Sequence, residues 1–146
     1  MSESKAYYKS ADESKALVSG FESCSITADE FTHGAHLTVA FSYLHLSGLS
    51  VSQATDRMRE GLYRFLNHHG VDRRKYNETI TLFWMRLVRG FLDKTDTTRP
   101  TAEIADEMIK ACGSSQLIFT YYSKELLFSE EARERCVETD LRPLDF

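Results

Sequence analysis

The sequence predicts an all-α protein, a single-domain helical bundle of three long helices closed by shorter C-terminal helices. Apolar residues recur at steps of three and four in several long stretches, which is the period of a helix with one buried face. Ser, Thr, Asp or Asn precedes most of these stretches, and Gly or Pro follows them. No stretch alternates apolar and polar residues between two turn signals, as a half-buried strand would.

Size and composition fit one globular domain. The chain has 146 residues, of which 42% are hydrophobic and 27% are charged, so it can bury a core and is not expected to be disordered. A net charge of -4 argues against nucleic acid or an anionic membrane as partner. No apolar run reaches the roughly 18 residues of a membrane span. The polar first residues lack a signal core, and the three cysteines lack CxxC spacing, so a cytoplasmic location with reduced thiols is expected.

The first helices follow from their end signals. Residues 1–20 are predicted to be a polar, partly ordered N-terminal segment that includes a short helix, and residues 21–146 form the helical domain. A long helix is predicted from Thr27 to Leu46. Thr27 and Glu30 fit a capping box, in which each side chain accepts a hydrogen bond from the other residue's backbone N–H.

The later helices follow the same rules. Ser50 or Ser52 is the predicted N-cap of the second long helix, and Asp72 or Asn77 that of the third. The predicted helices are Gln53–His69, one ending at Leu92, Thr101–Cys112 and Ser129–Val137. The apolar stretch Leu117–Tyr122 is a helix or a strand from periodicity alone, and its helical neighbours favour a helix.

Two histidines give the sequence its most specific chemistry. His33 and His36 are three residues apart, so one face of the first long helix carries both imidazoles. Imidazole is a ligand for zinc, iron, copper and nickel. A pair needs a third ligand from elsewhere, and Glu78 at the start of the third long helix is the first candidate, followed by Glu30 and then His69. Two His and one carboxylate leave coordination positions open, as in catalytic sites.

Each of these residues also has an ordinary structural interpretation. A histidine on an apolar face is often hydrogen-bonded within a core, and a carboxylate such as Glu78 is favoured in the first turn of a helix by the dipole. Trp84 with Phe83 and Phe91 is typical of helix packing. The sequence contains no GxSxG, GxGxxG, P-loop or HExxH motif.

Several short motifs together resemble those of a group of small bacterial proteins of unassigned activity. These motifs are Phe-x-His-x-x-His-Leu at 31–37, followed by Ala40 and Tyr43-Leu44, then Tyr-x-Glu-Thr-Ile-Thr at 76–81, Tyr122-Ser123, and Asp-Leu-x-Pro-Leu at 140–144. The resemblance covers about residues 21–146 and departs from the pattern at Thr139, where Pro is expected. It implies that His33, His36 and Glu78 act together, and it implies no reaction or substrate.

Three hypotheses follow. In the first, the protein is a small metal-dependent enzyme acting on a small-molecule substrate. His33, His36 and Glu78 hold one divalent ion (zinc, iron or manganese), and His36 and Glu78 also act in catalysis. Tyr76 serves either as a catalytic group or in orienting the site. Hydroxyl groups that orient ligands or substrate are expected from Thr79, Thr81 and Tyr43.

The second hypothesis keeps the histidines and Glu78 without a metal, as an acid–base lyase, isomerase or hydrolase. In the third, the protein is a non-catalytic binding protein. One exposed helix face then recruits a partner or a second copy of the chain, as in a homodimer.

Overall fold

The computed structural model describes residues 11–146 of the chain, and the first ten residues of the predicted N-terminal segment lie outside that range. Its elements are α1 (Ala11–Glu22), α2 (His33–Phe41), a π-helix (Ser42–Leu46), α3 (Val51–His68), a 3-10 turn (Arg73–Lys75), α4 (Glu78–Asp93), α5 (Thr101–Cys112), a second 3-10 turn (Leu117–Thr120), α6 (Lys124–Leu127) and α7 (Glu130–Glu134). Residues 11–146 contain no β-strand, so the predicted all-α class is confirmed. In the same range, no helix combines the length and the apolar character needed to cross a bilayer.

The predicted start of the first long helix is wrong. Thr27 and Glu30 do form both capping-box hydrogen bonds, with Thr27 N 2.7 Å from Glu30 Oε1 and Glu30 N 3.1 Å from Thr27 Oγ1. These bonds close an isolated turn, because the backbone of Thr32 is extended. The helix begins after Thr32, whose hydroxyl accepts a hydrogen bond from the backbone N–H of Ala35 at 3.2 Å. His33 is therefore the first residue of α2.

The other helices agree more closely with their predicted limits. Ser50 caps α3 in a capping box with Gln53, and Asn77 caps α4. The segment from Leu117 forms a 3-10 turn, and α7 stops early because Arg135 adopts an extended backbone.

Helix α4 lies at the centre of the fold and packs against α2, α3, α5 and α7. Its buried residues include Phe83, Trp84 and Met85, so the interpretation of Trp84 as a core residue is confirmed. On the far side of α3, Gly61 faces the ring of Phe21. A Cβ at Gly61 would lie 2.6 Å from that ring, so only glycine lets α1 approach α3 this closely.

Side-chain contacts give the relative directions of the long helices. Phe31, just before α2, lies 5.3 Å from Phe65 near the end of α3, whereas the guanidinium of Arg57, early in α3, lies over the ring of Tyr43 after α2. Helices α2 and α3 are therefore antiparallel. The chain then returns through α4, and Tyr63 in α3 contacts Tyr76 just before it. As a result, α2 and α4 run in the same direction.

Candidate functional site

The first turn of α2 holds His33 against the core. Its ring meets the edge of Trp84 with ring centroids 4.4 Å apart, and Nε2 lies 3.4 Å from the carbonyl oxygen of Cys112 at the end of α5. Because a carbonyl only accepts hydrogen bonds, this contact requires the proton on Nε2. In the neutral ring the lone pair is then on Nδ1.

His36 lies one turn further along α2. Its ring is 5.6 Å from the ring of Phe31, and no other residue of the described chain forms a hydrogen bond with it. Burial and, to a smaller extent, the neighbouring charge of His33 together lower the pKa of His36 to about 4. The imidazole of His36 is therefore neutral at pH 7, although its nitrogen atoms have no protein partner in residues 11–146.

The cysteines do not supply a nucleophile next to these histidines. Burial raises the pKa of the Cys112 thiol to about 12, and it also raises the pKa of Cys136. Both side chains are therefore protonated thiols at neutral pH, and protonated thiols are weak nucleophiles. Cys24, Cys112 and Cys136 form no disulfide, as the sequence predicts.

Glu78 belongs to a second cluster, between α3 and α4. Its Oε1 and Oε2 accept hydrogen bonds from Arg59 Nε and Nη2 at 2.9 Å and 2.6 Å, and the hydroxyl of Tyr76 also donates to Oε1. The Arg59 hydrogen bonds keep the pKa of Glu78 below its usual value despite partial burial. Burial and the bond to Glu78 raise the pKa of Tyr76. Glu78 is therefore a carboxylate, and Tyr76 a neutral phenol, at physiological pH.

The structure thus places the predicted ligands in two groups. His33 contacts Trp84, which is six residues beyond Glu78 and so about 9 Å further along α4 at 1.5 Å per residue. His36 lies further still from the level of Glu78, because α2 and α4 are parallel. Within residues 11–146, no three or more His, Cys, Asp and Glu side chains are arranged to hold a metal ion. Shared ligation by His33, His36 and Glu78 stays a prediction.

The two alternative third ligands have contacts of their own. Glu30 accepts the hydrogen bond from the backbone N–H of Thr27 described above. The ring of His69 packs against that of Phe65 in a tilted arrangement with ring centroids 4.4 Å apart, and its Nε2 is buried without a hydrogen-bond partner among the described residues. Phe65 also contacts Phe31, so two aromatic rings separate His69 from His36.

The hydroxyl groups predicted to orient a substrate or a metal ligand are all used within the fold. Thr79 donates to the carbonyl of Ala132 at 2.7 Å and accepts from the backbone N–H of Val137 at 3.2 Å, which ties α7 to α4. Thr81 donates to the Asn77 carbonyl one turn earlier. The remaining hydroxyl, on Tyr43, donates to Glu22 Oε2 at 2.6 Å.

Sequence reasoning missed Arg59, the residue that binds Glu78. It follows Met58, a fully buried core residue, and lies three residues before Leu62, which packs against the core. An arginine beside the apolar stripe of a helix is a visible signal for a partly buried ion pair. Such a signal does not identify the carboxylate that the arginine binds.

Comparison with known proteins gives no match among protein-family models, curated proteins or solved structures. The resemblance to the bacterial group therefore stays a prediction. Function is inferred from the side chains alone.

Proposed function

We propose that the protein is a small metal-dependent enzyme in which His33 and His36 are the first protein ligands of a divalent ion. The observation that carries the proposal is the state of His36. It is a half-buried imidazole that is neutral at pH 7, and its nitrogens have no hydrogen-bond partner in the described chain. A neutral imidazole without a protein partner keeps a nitrogen electron pair available to a ligand, and His33 places a second imidazole three residues away on the same helix.

The position of His33 supports the same proposal. Metal-binding histidines commonly donate their second N–H to a backbone carbonyl, which fixes the tautomer and the ring orientation. The Cys112 carbonyl is placed to accept such a bond from Nε2 of His33. His36, three residues further along the same helix, places a second imidazole beside this ring.

Metal binding also matches the protonation behaviour of the pair. A metal ion binds neutral imidazole, and a histidine with an ordinary pKa must lose its proton before it binds. Because His36 is already neutral well below pH 7, it competes poorly for protons and is ready to bind a metal over a wide pH range. A divalent ion with open positions would supply Lewis acidity or an activated water.

The role of Glu78 separates two versions of this proposal. In one, Glu78 gives up part of its bonding to Arg59 and Tyr76 and becomes the third ligand. In the other, Glu78 stays bound to Arg59, and water or substrate completes the metal coordination. The strong contacts with Arg59 favour the second version.

The test is metal binding by protein purified without a histidine tag. We expect about one equivalent of metal by elemental analysis or after titration of the chelator-treated protein with Zn²⁺, Fe²⁺ or Mn²⁺. His33→Ala and His36→Ala should each weaken the affinity by about tenfold or more, because each removes one of few ligands. The matched control is His45→Ala in the adjoining π-helix, which should leave the affinity unchanged.

Glu78→Gln then decides between the two versions. Unchanged affinity places Glu78 outside the coordination sphere, and a loss as large as that of His36→Ala makes it a ligand. Metal content well below one equivalent that His33→Ala does not alter would overturn the proposal. Far-UV circular dichroism of each variant establishes that a loss of binding is not a loss of fold.

A further inference from the structure

A cleft lies where the 3-10 turn before α4 meets the turn between α6 and α7. Its volume is about 510 Å³, a size that suits a small molecule. The side chains of Arg74, Lys75 and Arg133 line it, together with a single carboxylate from Asp72. The cleft therefore carries a net positive charge in a protein whose net charge is negative.

The negative charge of Asp72 is already balanced. Its Oδ2 lies 2.9 Å from Nη2 of Arg74, and its Oδ1 accepts a hydrogen bond from the backbone N–H of the same residue. The ammonium of Lys75 makes no hydrogen bond or ion pair with any residue from 11 to 146. One cation of the cleft is thus paired, and Lys75 is available to an anionic ligand.

Arg133 is held in place without losing its charge. Its Nη1 donates to the carbonyl oxygen of Phe128 at 3.1 Å, which fixes the side chain across the turn. Glu130 and Glu134 line a neighbouring cleft of about 340 Å³ with Arg133, but neither forms an ion pair with it. The other N–H groups of this guanidinium have no acceptor in the described part of the chain.

One wall of the cleft is apolar. Phe128 is 51% exposed, although large aromatic side chains are usually buried, and Ile80 of α4 also lines the cleft. Asn77 completes this wall, with its amide already donating to the carbonyl oxygen of Leu127. The surface thus combines two available cations with an exposed aromatic ring.

We propose that this cleft binds a small organic anion that carries a carboxylate or phosphate group on an apolar, preferably aromatic, body. The anionic group lies between Lys75 and Arg133, and the apolar body packs on Phe128. Arginine binds such groups through paired N–H donors, and a ring on a ring adds contact area. The site is at the N-terminal end of α4, away from the histidine pair, and does not depend on the proposed metal.

The experiment is calorimetric titration of metal-free protein with four probes, so that phosphate cannot bind through a metal ion. Phenyl phosphate and benzoate test the two anionic groups on one ring, inorganic phosphate lacks the ring, and benzyl alcohol lacks the charge. We expect saturable binding of at least one aromatic anion, weaker binding of inorganic phosphate and none of benzyl alcohol. The stronger of the two aromatic anions identifies the anionic group.

Substitutions of the lining residues test whether the aromatic anion binds in this cleft. Lys75→Met and Arg133→Met should each weaken binding of the aromatic anion by about fivefold to tenfold, as expected for loss of one charged contact. Phe128→Ala should weaken the binding of phenyl phosphate and leave the binding of inorganic phosphate unchanged. The matched control is Arg135→Met, which removes an exposed arginine that pairs with Glu131 outside the cleft.

Two results would overturn the proposal. One is no saturable binding of either aromatic anion up to about 10 mM, a limit of weak specific affinity. The other is equal loss of affinity in Arg133→Met and Arg135→Met, which would indicate binding by overall surface charge.

Discussion

Helices α2 and α4 both carry ionisable side chains near their N-terminal ends, but these side chains differ in their hydrogen-bond partners. At α4, Glu78 has Arg59 and Tyr76 as partners. At α2, His36 has an aromatic neighbour and no hydrogen-bond partner among residues 11–146. The start of α4 is thus a completed polar cluster, whereas the start of α2 includes a half-buried imidazole without a hydrogen-bond partner in the described chain.

This difference indicates where an added ligand would bind. A completed cluster contributes to stability and has little bonding capacity left for a ligand. A half-buried imidazole without a protein partner still has bonding capacity for a ligand. The motif around Glu78 thus has a sufficient structural explanation in the contacts of Asn77, Glu78 and Thr79, whereas the nitrogens of His36 have no hydrogen-bond partner within the described chain.

Among variants that test this comparison, Arg59→Met is expected to cause the largest loss of stability. The change leaves the carboxylate of Glu78, whose side chain is only 16% exposed, without its cation. We expect a loss of about 3 kcal/mol in the free energy of unfolding, at the lower end for a broken buried pair. Urea unfolding at pH 7 measures it, and the double variant Arg59→Met with Glu78→Gln should recover part of the loss because the unpaired charge is gone.

The matched control is Arg74→Met, which breaks an ion pair with Asp72 on the protein surface. The side chain of Arg74 is 85% exposed, so no measurable change in the unfolding midpoint is expected. If Arg59→Met proved as harmless as Arg74→Met, the Glu78 cluster would not be the stabilising feature described here.

The second prediction concerns the loss of stability at acidic pH that protonation of His36 causes. Burial moves the pKa of His36 from 6.5 in the unfolded chain to about 4 in the folded one. The unfolded chain therefore binds more protons between these values, so stability is complete above pH 6.5 and falls as the pH drops towards 4. The shift corresponds to at most about 3 kcal/mol, and because the ring is only half-buried we expect about 2 kcal/mol.

Urea unfolding of chelator-treated protein across this range measures the loss. His36→Gln should flatten the dependence, since it removes the titrating group. His68→Gln, at the exposed end of α3, should leave it unchanged. A wild-type slope that persists in His36→Gln would mean that His36 is not neutral in the folded protein, and the ligand argument would lose its basis.

These two regions also show which structural features could be predicted from the sequence and which could not. Helical periodicity predicted the fold class, and Asn77 marked the start of α4, because caps and periods are local properties of the chain. The partner of Glu78 was not predicted, because Arg59 is 19 residues away and only packing brings the two together. The hypothesis of one shared site places His33, His36 and Glu78 at the same level of two parallel helices, whereas the contact of His33 with Trp84 lies about 9 Å further along α4 than Glu78.

The smallest expected loss of stability tests where α2 begins. Two threonines, Thr27 and Thr32, both fit the pattern of a helix N-cap, but only Thr32 caps a helix. Thr32 caps the helix through the backbone N–H of Ala35, so Thr32→Ala should cost about 1 kcal/mol. Thr27 caps only an exposed turn, whose backbone bonds from Glu30 and Phe31 remain without its side chain. Thr27→Ala should therefore stay within about 0.5 kcal/mol of the wild type in urea unfolding.

The metal affinity of Thr32→Ala and Thr27→Ala provides a second test of where α2 begins. His33 directly follows Thr32, so loss of this cap frays the turn that holds the imidazole, and Thr32→Ala should weaken any metal binding while Thr27→Ala leaves it unchanged. If Thr27→Ala instead cost as much as Thr32→Ala in both measurements, the helix in solution would begin at Thr27. His33 would then lie in its second turn, where its backbone N–H is bonded within the helix and its ring is less exposed to fraying.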